Sequence, residues 1–276
     1  MTVKIVTDST SDIPAALAQE LGITVIPLYV YFGSDVFRDG VDMTRDQFFA
    51  RLTSGNVLPR TSQPSVGDFL DIYLPLCEEG HEIVSIHISD KLSGTLNSAR
   101  GAVQELGAAK IELVDTKLAS LGITLVVRAA AEAAKTSTSA KEVADAARKA
   151  AENIDIYFVL DTLEYLQKGG RIGRAQALLG SMLSIKPVLK MQDGEIHPHE
   201  KVRTRAKALN RLQEIALSSG QYAELAMIHE GSPEEVASLR TVLTDLTSLP
   251  LIDSHVGPVI GTYTGPNVMG FVGRKG

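Results

Sequence analysis

The chain has 276 residues, of which 44% are hydrophobic and 22% are charged, an ordinary composition for a globular protein with a packed core. The net charge of −6, without a long run of Lys and Arg, argues against nucleic acid or an anionic membrane surface as the main partner. The single cysteine, Cys77, excludes an intramolecular disulfide framework and a cysteine-cluster metal site. We expect a cytoplasmic protein without stable membrane insertion, because the sequence shows no signal-peptide pattern and no charge-free window of about 20 residues.

Strands and helices alternate along the first half of the chain. Strands are predicted at residues 3–6, 23–32, 83–88, 111–114 and 156–160, and helices at 14–21, 43–53, 65–79, 92–106, 118–135 and 140–153. Helix boundaries are marked by Gly22 as a stop and by Thr44 with Gln47, a capping-box spacing. This alternation predicts a mostly parallel sheet with helices on both faces, an α/β/α sandwich.

The second half has a different pattern. Asp193-Gly194 separates two β-rich segments, which is a strong hairpin signal. Helices are predicted at 204–219 and 233–246, with Ser232 as an N-cap, and further strands at 225–229, 251–256, 259–262 and 268–272. We therefore predict an α+β domain with a largely antiparallel sheet over residues 159–276, after an N-terminal α/β domain over residues 1–158.

Polar clusters follow several predicted strands, where ligands of open α/β sheets bind. They occupy residues 7–12, 60–65, 89–95 and 261–266. Ser93-Gly94 opens a helix, so its hydroxyl and backbone amides suit an anion, although a plain N-cap is the commoner role of such a serine. Thr61 and Ser62 supply two more hydroxyls, or simply form a loop before Pro64.

The remaining candidates have competing structural interpretations. Asp8 and Asp12 fit turn caps, and His87 fits a hydrogen-bonded core histidine. Ser93 as a nucleophile lacks a Gly-x-Ser-x-Gly elbow, and neither a dinucleotide fingerprint nor a P-loop is present. Arg171, in a basic loop at 168–174, and Arg203 either form a solvated edge or dock an acidic partner or a phosphate.

Five motifs in order carry a family resemblance. They are residues 3–12, VKIVTDSTSD; residues 61–65, TSQPS; Ser89 with LSGT at 92–95 and NSA at 97–99; Leu166 with KGGRI at 168–172; and GTYTGP at 261–266. Together they resemble the motifs of the DegV family, the fatty-acid-binding proteins that serve bacterial fatty acid kinase. The resemblance covers nearly the whole chain.

The resemblance implies two α/β domains with a lipid tunnel between them. By the family pattern, Thr61, Ser62, Ser93 and Gly94 hold the carboxylate of a long-chain fatty acid. Tyr263 stands where the family usually has a His near the head group; a Tyr hydroxyl can donate a hydrogen bond but brings no positive charge at low pH. Leu96 also departs from the pattern, since the family usually has Tyr there.

The resemblance further implies a lipid carrier that needs no cofactor and catalyses nothing itself. It would present the carboxylate to a separate ATP-dependent kinase, and the acyl phosphate would enter phospholipid synthesis. Arg171 and Arg203 would help the kinase to dock or steady the new phosphate. The alternatives are a serine hydrolase or acyltransferase that uses Ser93, with Asp8 or a His as its helper, and a regulatory module that binds a sugar or phosphate.

The apolar tail would need an apolar lining. Candidate segments are residues 178–179, 182–183, 185 and 227–228, each of which also fits an ordinary core.

Overall fold

A computed structural model describes residues 2–55, 57–107, 110–179 and 185–276. The strands in these ranges are β1 (Val3–Asp8), β2 (Thr24–Ile26), β3 (Tyr29–Phe32), β4 (Asp35–Arg38), β5 (Arg60–Ser62), β6 (Glu82–His87), β7 (Ile111–Asp115), β8 (Ile154–Val159), β9 (Lys186–Gln192), β10 (Glu195–Val202), β11 (Glu224–His229), β12 (Ile252–His255) and β13 (Met269–Arg274). The helices are α1 (Ala15–Leu21), α2 (Arg45–Ser54), α3 (Val66–Glu78), α4 (Thr95–Leu106), α5 (Leu121–Ala134), α6 (Ala140–Glu152), α7 (Glu164–Lys168), α8 (Arg205–Ser218), α9 (Pro233–Thr244) and α10 (Pro258–Thr264).

The first sheet is parallel, with strand order β2-β1-β6-β7. On one face Val6 and Ile83 pack with Phe69 of α3 and Ala102 of α4. On the other face, neighbouring strand residues such as Val84 pack with α5 and α6. Successive side chains of a strand point to opposite faces, so a nearly continuous apolar strand serves both layers. The predicted α/β/α sandwich is confirmed.

The second sheet is largely antiparallel, as predicted. Its strand order is β10-β9-β8-β13-β11-β12, and only β11 and β12 pair in parallel. Asp193 and Gly194 form the β9–β10 turn with positive φ of 52° and 81°, which suits a two-residue hairpin. Helices α8 and α9 cover one face. The predicted domain division after residue 158 falls within β8 and stays a prediction.

A small third sheet and a broken strand depart from the sequence prediction. The strand predicted over residues 23–32 is two strands in different sheets: β2 extends the parallel sheet, whereas β3 forms a sheet with β4 and β5. Pro27 and Leu28 separate them, and proline cannot donate a hydrogen bond to a continuing ladder. The break lets β5 place Thr61 and Ser62 beside β3.

The strand predicted at residues 259–262 is wrong, because this segment lies in helix α10. Pro258 occupies the first turn of this helix, where a backbone amide would have no intrahelical hydrogen-bond acceptor, so proline is tolerated there. The short apolar run Val259-Ile260 does not by itself distinguish a strand from a helix. As a helix, the segment carries Tyr263 toward β5.

Candidate functional site

A cavity of about 960 Å³, its open end included, lies between the two halves of the protein. The second sheet supplies one apolar wall through Ile156 and Phe158 of β8, Ile228 of β11 and Val272 of β13. Helix α10 contributes Val259 and Ile260 to another wall, and the first half contributes Leu28, Ile88 and Ala119. An apolar lining with a few polar side chains is typical of small-molecule sites.

Polar side chains of the cavity lining form two sets. The hydroxyls of Thr10, Ser120 and Thr264 donate to Asp8, Asp12 and the Ile260 carbonyl. The others, which we call the mouth, are Thr61, Ser62, Gln63, Ser93, Arg171 and Tyr263. The hydroxyl oxygens of Thr61 and Tyr263 lie 2.6 Å apart, although 202 residues separate the two along the chain. The Ser62 hydroxyl is 3.1 Å from that of Tyr31. Four of the five residues predicted to hold a carboxylate, Thr61, Ser62, Ser93 and Tyr263, therefore line one cavity.

Gly94 lies just behind the mouth. A Cβ built on Gly94 would stand 2.7 Å from Nε2 of Gln63, so a larger residue would push this glutamine side chain. The N-cap of α4 is Gly94 rather than Ser93, and the Ser93 hydroxyl accepts a hydrogen bond from the Thr95 amide at 3.3 Å. Gln63 was missed as a site residue, although it sits inside the TSQPS motif.

Arg171 connects the mouth to a groove on the outer surface. Its Nε donates to the Leu92 carbonyl at 3.1 Å and its Nη1 to the Gly169 carbonyl at 2.8 Å. Its guanidinium carbon is 5.1 Å from the Tyr263 ring centroid, within cation–π range. The outer groove is lined by Thr61, Arg171 and Tyr263 of the mouth, and by Leu58, Pro59, Arg60, Tyr165, Lys168, Gly169 and Thr262. Arg60, Lys168 and Arg171 thus bring positive charge to the groove, and Lys168 also forms an ion pair with Glu164.

Arg203 is not among the residues that line the cavity or the outer groove. It is exposed and follows the end of β10. Its role at a partner surface stays a prediction.

The predicted lining segments divide between cavity and core. Ile228 lines the cavity, whereas its neighbour Met227 points to the opposite face of β11 and packs with α8 and α9. Residues 178, 179 and 185 pack in the main core, and residues 182–183 lie outside the described ranges. The sequence prediction missed Ile156 and Phe158 of β8, which line the cavity. Because side chains alternate between the two faces of a strand, these two residues share one face, and this pattern could have identified them.

His87 is a hydrogen-bonded core histidine, as the sequence indicated. Its Nδ1 is 2.8 Å from Oδ2 of Asp8, its Nε2 is 2.7 Å from Oγ of Ser85, and Tyr73 donates to that Oγ at 2.6 Å. All four side chains are fully buried, so this Ser–His–Asp chain is closed to a substrate. Asp8 also accepts the Thr10 amide at 3.0 Å, which confirms it as a turn cap.

Two negative findings apply to the described ranges. No helix there combines the length and the hydropathy that a bilayer crossing requires. Nor do any three His, Cys, Asp or Glu side chains in these ranges group closely enough to hold a metal ion.

The fold and the cavity define a class of protein: two α/β halves that enclose an apolar chamber with hydroxyl groups at its mouth. The chain belongs to the DegV family, since the model described as "Uncharacterised protein, DegV family" matches residues 2–275. A DegV domain-containing protein of Deinococcus radiodurans is 37% identical over 276 residues, covering 98% of this chain and 97% of the relative.

Solved structures agree with this assignment. A DegV family protein from Thermus thermophilus, described by its fatty acid binding, superposes with a TM-score of 0.91 at 35% identity and full coverage of both chains. A stearic acid-binding protein from Eubacterium ventriosum gives a TM-score of 0.89 at 28% identity, covering 99% of this chain and 98% of that one.

Proposed function

We propose that this protein binds one long-chain fatty acid, with the tail in the cavity and the carboxylate at the mouth. The observation that carries the proposal is a largely apolar cavity lining that includes one group of neighbouring polar side chains, the mouth. Such a lining matches an amphipathic ligand with one polar end. The fatty acid binding described for the Thermus and Eubacterium relatives supports it.

Burial of the tail supplies the affinity. Each buried methylene contributes at most about 0.8 kcal/mol, so a tail of about 15 methylenes has an upper bound of roughly 12 kcal/mol before ordering and association costs. The walls formed by β8, β11, β13 and α10 provide the apolar contacts.

The head group needs hydrogen bonds, because an unpaired carboxylate removed from water costs several kcal/mol. Thr61, Ser62, Ser93 and Tyr263 offer hydroxyl donors, and the amides after Gly94 lie at the start of α4, where the helix dipole favours an anion. When a carboxylate enters, the hydroxyls of Thr61 and Tyr263 turn from each other toward it.

The protein acts as a carrier in this proposal, not as an enzyme. A partner kinase reaches the carboxylate from the outer groove, where Arg60, Lys168 and Arg171 favour the negative charge of ATP or of the acyl phosphate product. Arg203 would contact the kinase away from the cavity. The product would then enter phospholipid synthesis.

Local contacts support the carrier over the serine hydrolase. A nucleophilic serine needs a base within hydrogen-bond reach. In the described part of the chain, the Ser93 hydroxyl bonds to Thr95, while His87 bonds to Asp8 and Ser85. The apolar interior likewise supports a lipid over a sugar or phosphate ligand.

Mass spectrometry of the purified protein, first native and then denatured with lipid extraction, tests the proposal. We expect one fatty acid per chain, and expect the double substitution Thr61→Val and Ser93→Ala to reduce its occupancy at least tenfold. The matched control combines Thr241→Val and Ser248→Ala, which removes two exposed hydroxyls that do not line the cavity. A lipid-free mass that stays unchanged after addition of oleate or palmitate would refute the proposal.

A further inference from the structure

Helix α10 forms part of the cavity wall, yet it lacks an N-cap side chain of its own. Its N-cap is Gly257, and Pro258 has no amide hydrogen. The amides of Val256, Gly257 and Val259 therefore need acceptors from elsewhere in the protein.

Three carboxyl groups face those amides. Asp12 Oδ1 accepts from the Gly257 amide at 2.9 Å, and the Val259 and Val256 amides lie close enough to Asp39 and Glu230, respectively, to lower the pKa of each carboxyl. The three come from separate places: Asp12 precedes α1, Asp39 follows β4 and Glu230 follows β11.

Two of the carboxyl groups, those of Asp12 and Asp39, converge closely on the start of α10. A Cβ built on Gly257 would lie 2.8 Å from Asp12 Oδ1 and 3.6 Å from Asp39 Oδ1. The second oxygen of Asp12 accepts from the hydroxyl of Ser120 at 2.5 Å, and Ser120 itself lines the cavity. The start of α10 is thus tied to the cavity wall of the other half.

The structure assigns Asp12, Asp39 and Glu230 as positioning residues: they hold the start of α10 and so set where Tyr263 stands at the mouth. We call this arrangement the carboxyl clasp. Its consequence for lipid retention rests on the proposed function.

The attachment of α10 by the clasp should depend on pH, whereas attachment by apolar packing alone should not. Burial raises the pKa of Asp39 to about 7 and that of Glu230 to about 7, and it raises the pKa of Asp12 well above its usual range. If α10 detaches, water reaches these groups and their pKa values return to about 4. Detachment therefore releases protons, and it becomes more favourable as pH rises from about 4 to about 7.

Other charged groups near the clasp also change the pKa values of its carboxyl groups. Asp8 lies near Asp12 and Asp39, and its negative charge raises the pKa of both. Arg45 lies 3.5 Å from Glu230 and lowers its pKa, whereas Asp46 raises it. His255, 3.5 Å from Glu230, has its own pKa lowered by burial and by Arg45.

The test measures release of cis-parinaric acid from the loaded full-length protein to albumin between pH 5.5 and 7. We expect faster release at higher pH, by up to about tenfold per pH unit for each clasp carboxyl. Asp39→Asn mimics the protonated side chain, so its release should depend less on pH: the ratio of the native release rate to that of Asp39→Asn should rise about tenfold between pH 5.5 and pH 7. Glu230→Gln should behave similarly.

The control is Asp42→Asn on the same loop. Asp42 pairs with Arg38 outside the clasp, and these bonds hold its pKa at about 2, so it stays ionised throughout. Titration of the fatty acid itself is common to all variants. Parallel pH profiles for the native protein and Asp39→Asn would overturn the inference.

Hydrogen exchange of the lipid-free protein tests whether the clasp holds α10, independently of whether the protein binds a fatty acid. Asp39→Ala removes the acceptor, so amide protection across residues 256–264 should fall at least tenfold at fixed pH, whether or not lipid binds. Unchanged protection would overturn the clasp. If amide protection falls in Asp39→Ala but the native protein binds no fatty acid, the clasp is supported and the proposed fatty acid binding is refuted.

Discussion

Arg171 is the charged residue of the mouth, and Arg203, which lies outside the cavity, provides a control for changing its charge. Arg171→Glu removes the bonds to Leu92 and Gly169 and places a negative charge beside the proposed carboxylate site. Two charges about 4 Å apart interact by about 1 kcal/mol in water and about 4 kcal/mol near a protein surface. Because charge reversal removes an attraction and adds a repulsion, the change is about twice as large, so we expect oleate affinity, measured by isothermal titration calorimetry, to fall by at least about thirtyfold.

Arg203→Glu makes the same charge change outside the cavity, so it should leave oleate affinity within about twofold. Equal affinities for the two variants would contradict the placement of the carboxylate near Arg171. If a kinase partner docks as proposed, phosphorylation of bound oleate should fall in both variants.

Residues that line the cavity were predictable where a hydroxyl stood in a motif, and residues whose role depends on tertiary contacts were not. Thr61, Ser62, Ser93 and Tyr263 were all named from the sequence, and the structure brings them to one mouth. Asp39 and Glu230 show no pattern, because their partners are backbone amides of a distant loop.

At the scale of elements, a capping box fixes the helix that follows the TSQPS motif. Ser65 accepts from the Asp68 amide at 3.1 Å, and Asp68 accepts from the Ser65 amide at 2.7 Å. The first turn of α3 also brings Val66 against α4, since a Cβ on Gly101 would lie 2.8 Å from Val66 Cγ2.

Ser65→Ala should therefore lower the free energy of unfolding by about 1 kcal/mol in urea denaturation. It should also weaken oleate binding severalfold, because the frayed turn adjoins Gln63 and the mouth. Ser232→Ala removes the equivalent capping box of α9, away from the cavity, and should cost similar stability without changing oleate affinity. Equal effects of both variants on affinity would contradict the role assigned to α3.

Secondary-structure elements that depend on a few adjacent residues were predicted well, and strands that depend on which other strands lie beside them were not. The capping box at Thr44, the stop at Gly22 and the hairpin at Asp193-Gly194 are determined by a few adjacent residues, and all are confirmed. The split of residues 23–32 between two sheets depends on which strands lie alongside, which one sequence does not encode locally.

Across the whole molecule, α5 joins the two halves. It contacts β1 and β6 of the first sheet and β8, β11 and β13 of the second, and one core cluster extends through both. The hairpin tip adds a polar link, because the Ser89 hydroxyl donates to the Gly194 carbonyl at 2.8 Å. The cavity is therefore shaped by how closely α5 approaches β8.

Gly122 controls that approach. A Cβ built there would lie 2.6 Å from Cδ1 of Ile156, a flexible side-chain end that lines the cavity, and 3.1 Å from Cβ of Leu118. In Gly122→Ala the Ile156 side chain has to turn into the cavity. Overpacking costs about 1–3 kcal/mol, and the better helix propensity of Ala returns about 1 kcal/mol, so the variant should fold with slightly reduced stability.

We expect Gly122→Ala to shift the bound fatty acids toward shorter chains, as measured by mass spectrometry of extracted lipid. Adding Ile156→Val removes the colliding Cδ1 atom and should restore the original chain lengths, whereas Ile156→Val alone should leave them unchanged or favour longer ones. A chain-length distribution unaffected by Gly122→Ala would mean that the contact between α5 and β8 does not limit the tail. Because the double variant restores space without restoring glycine, rescue would locate the effect in the cavity rather than in the helix backbone.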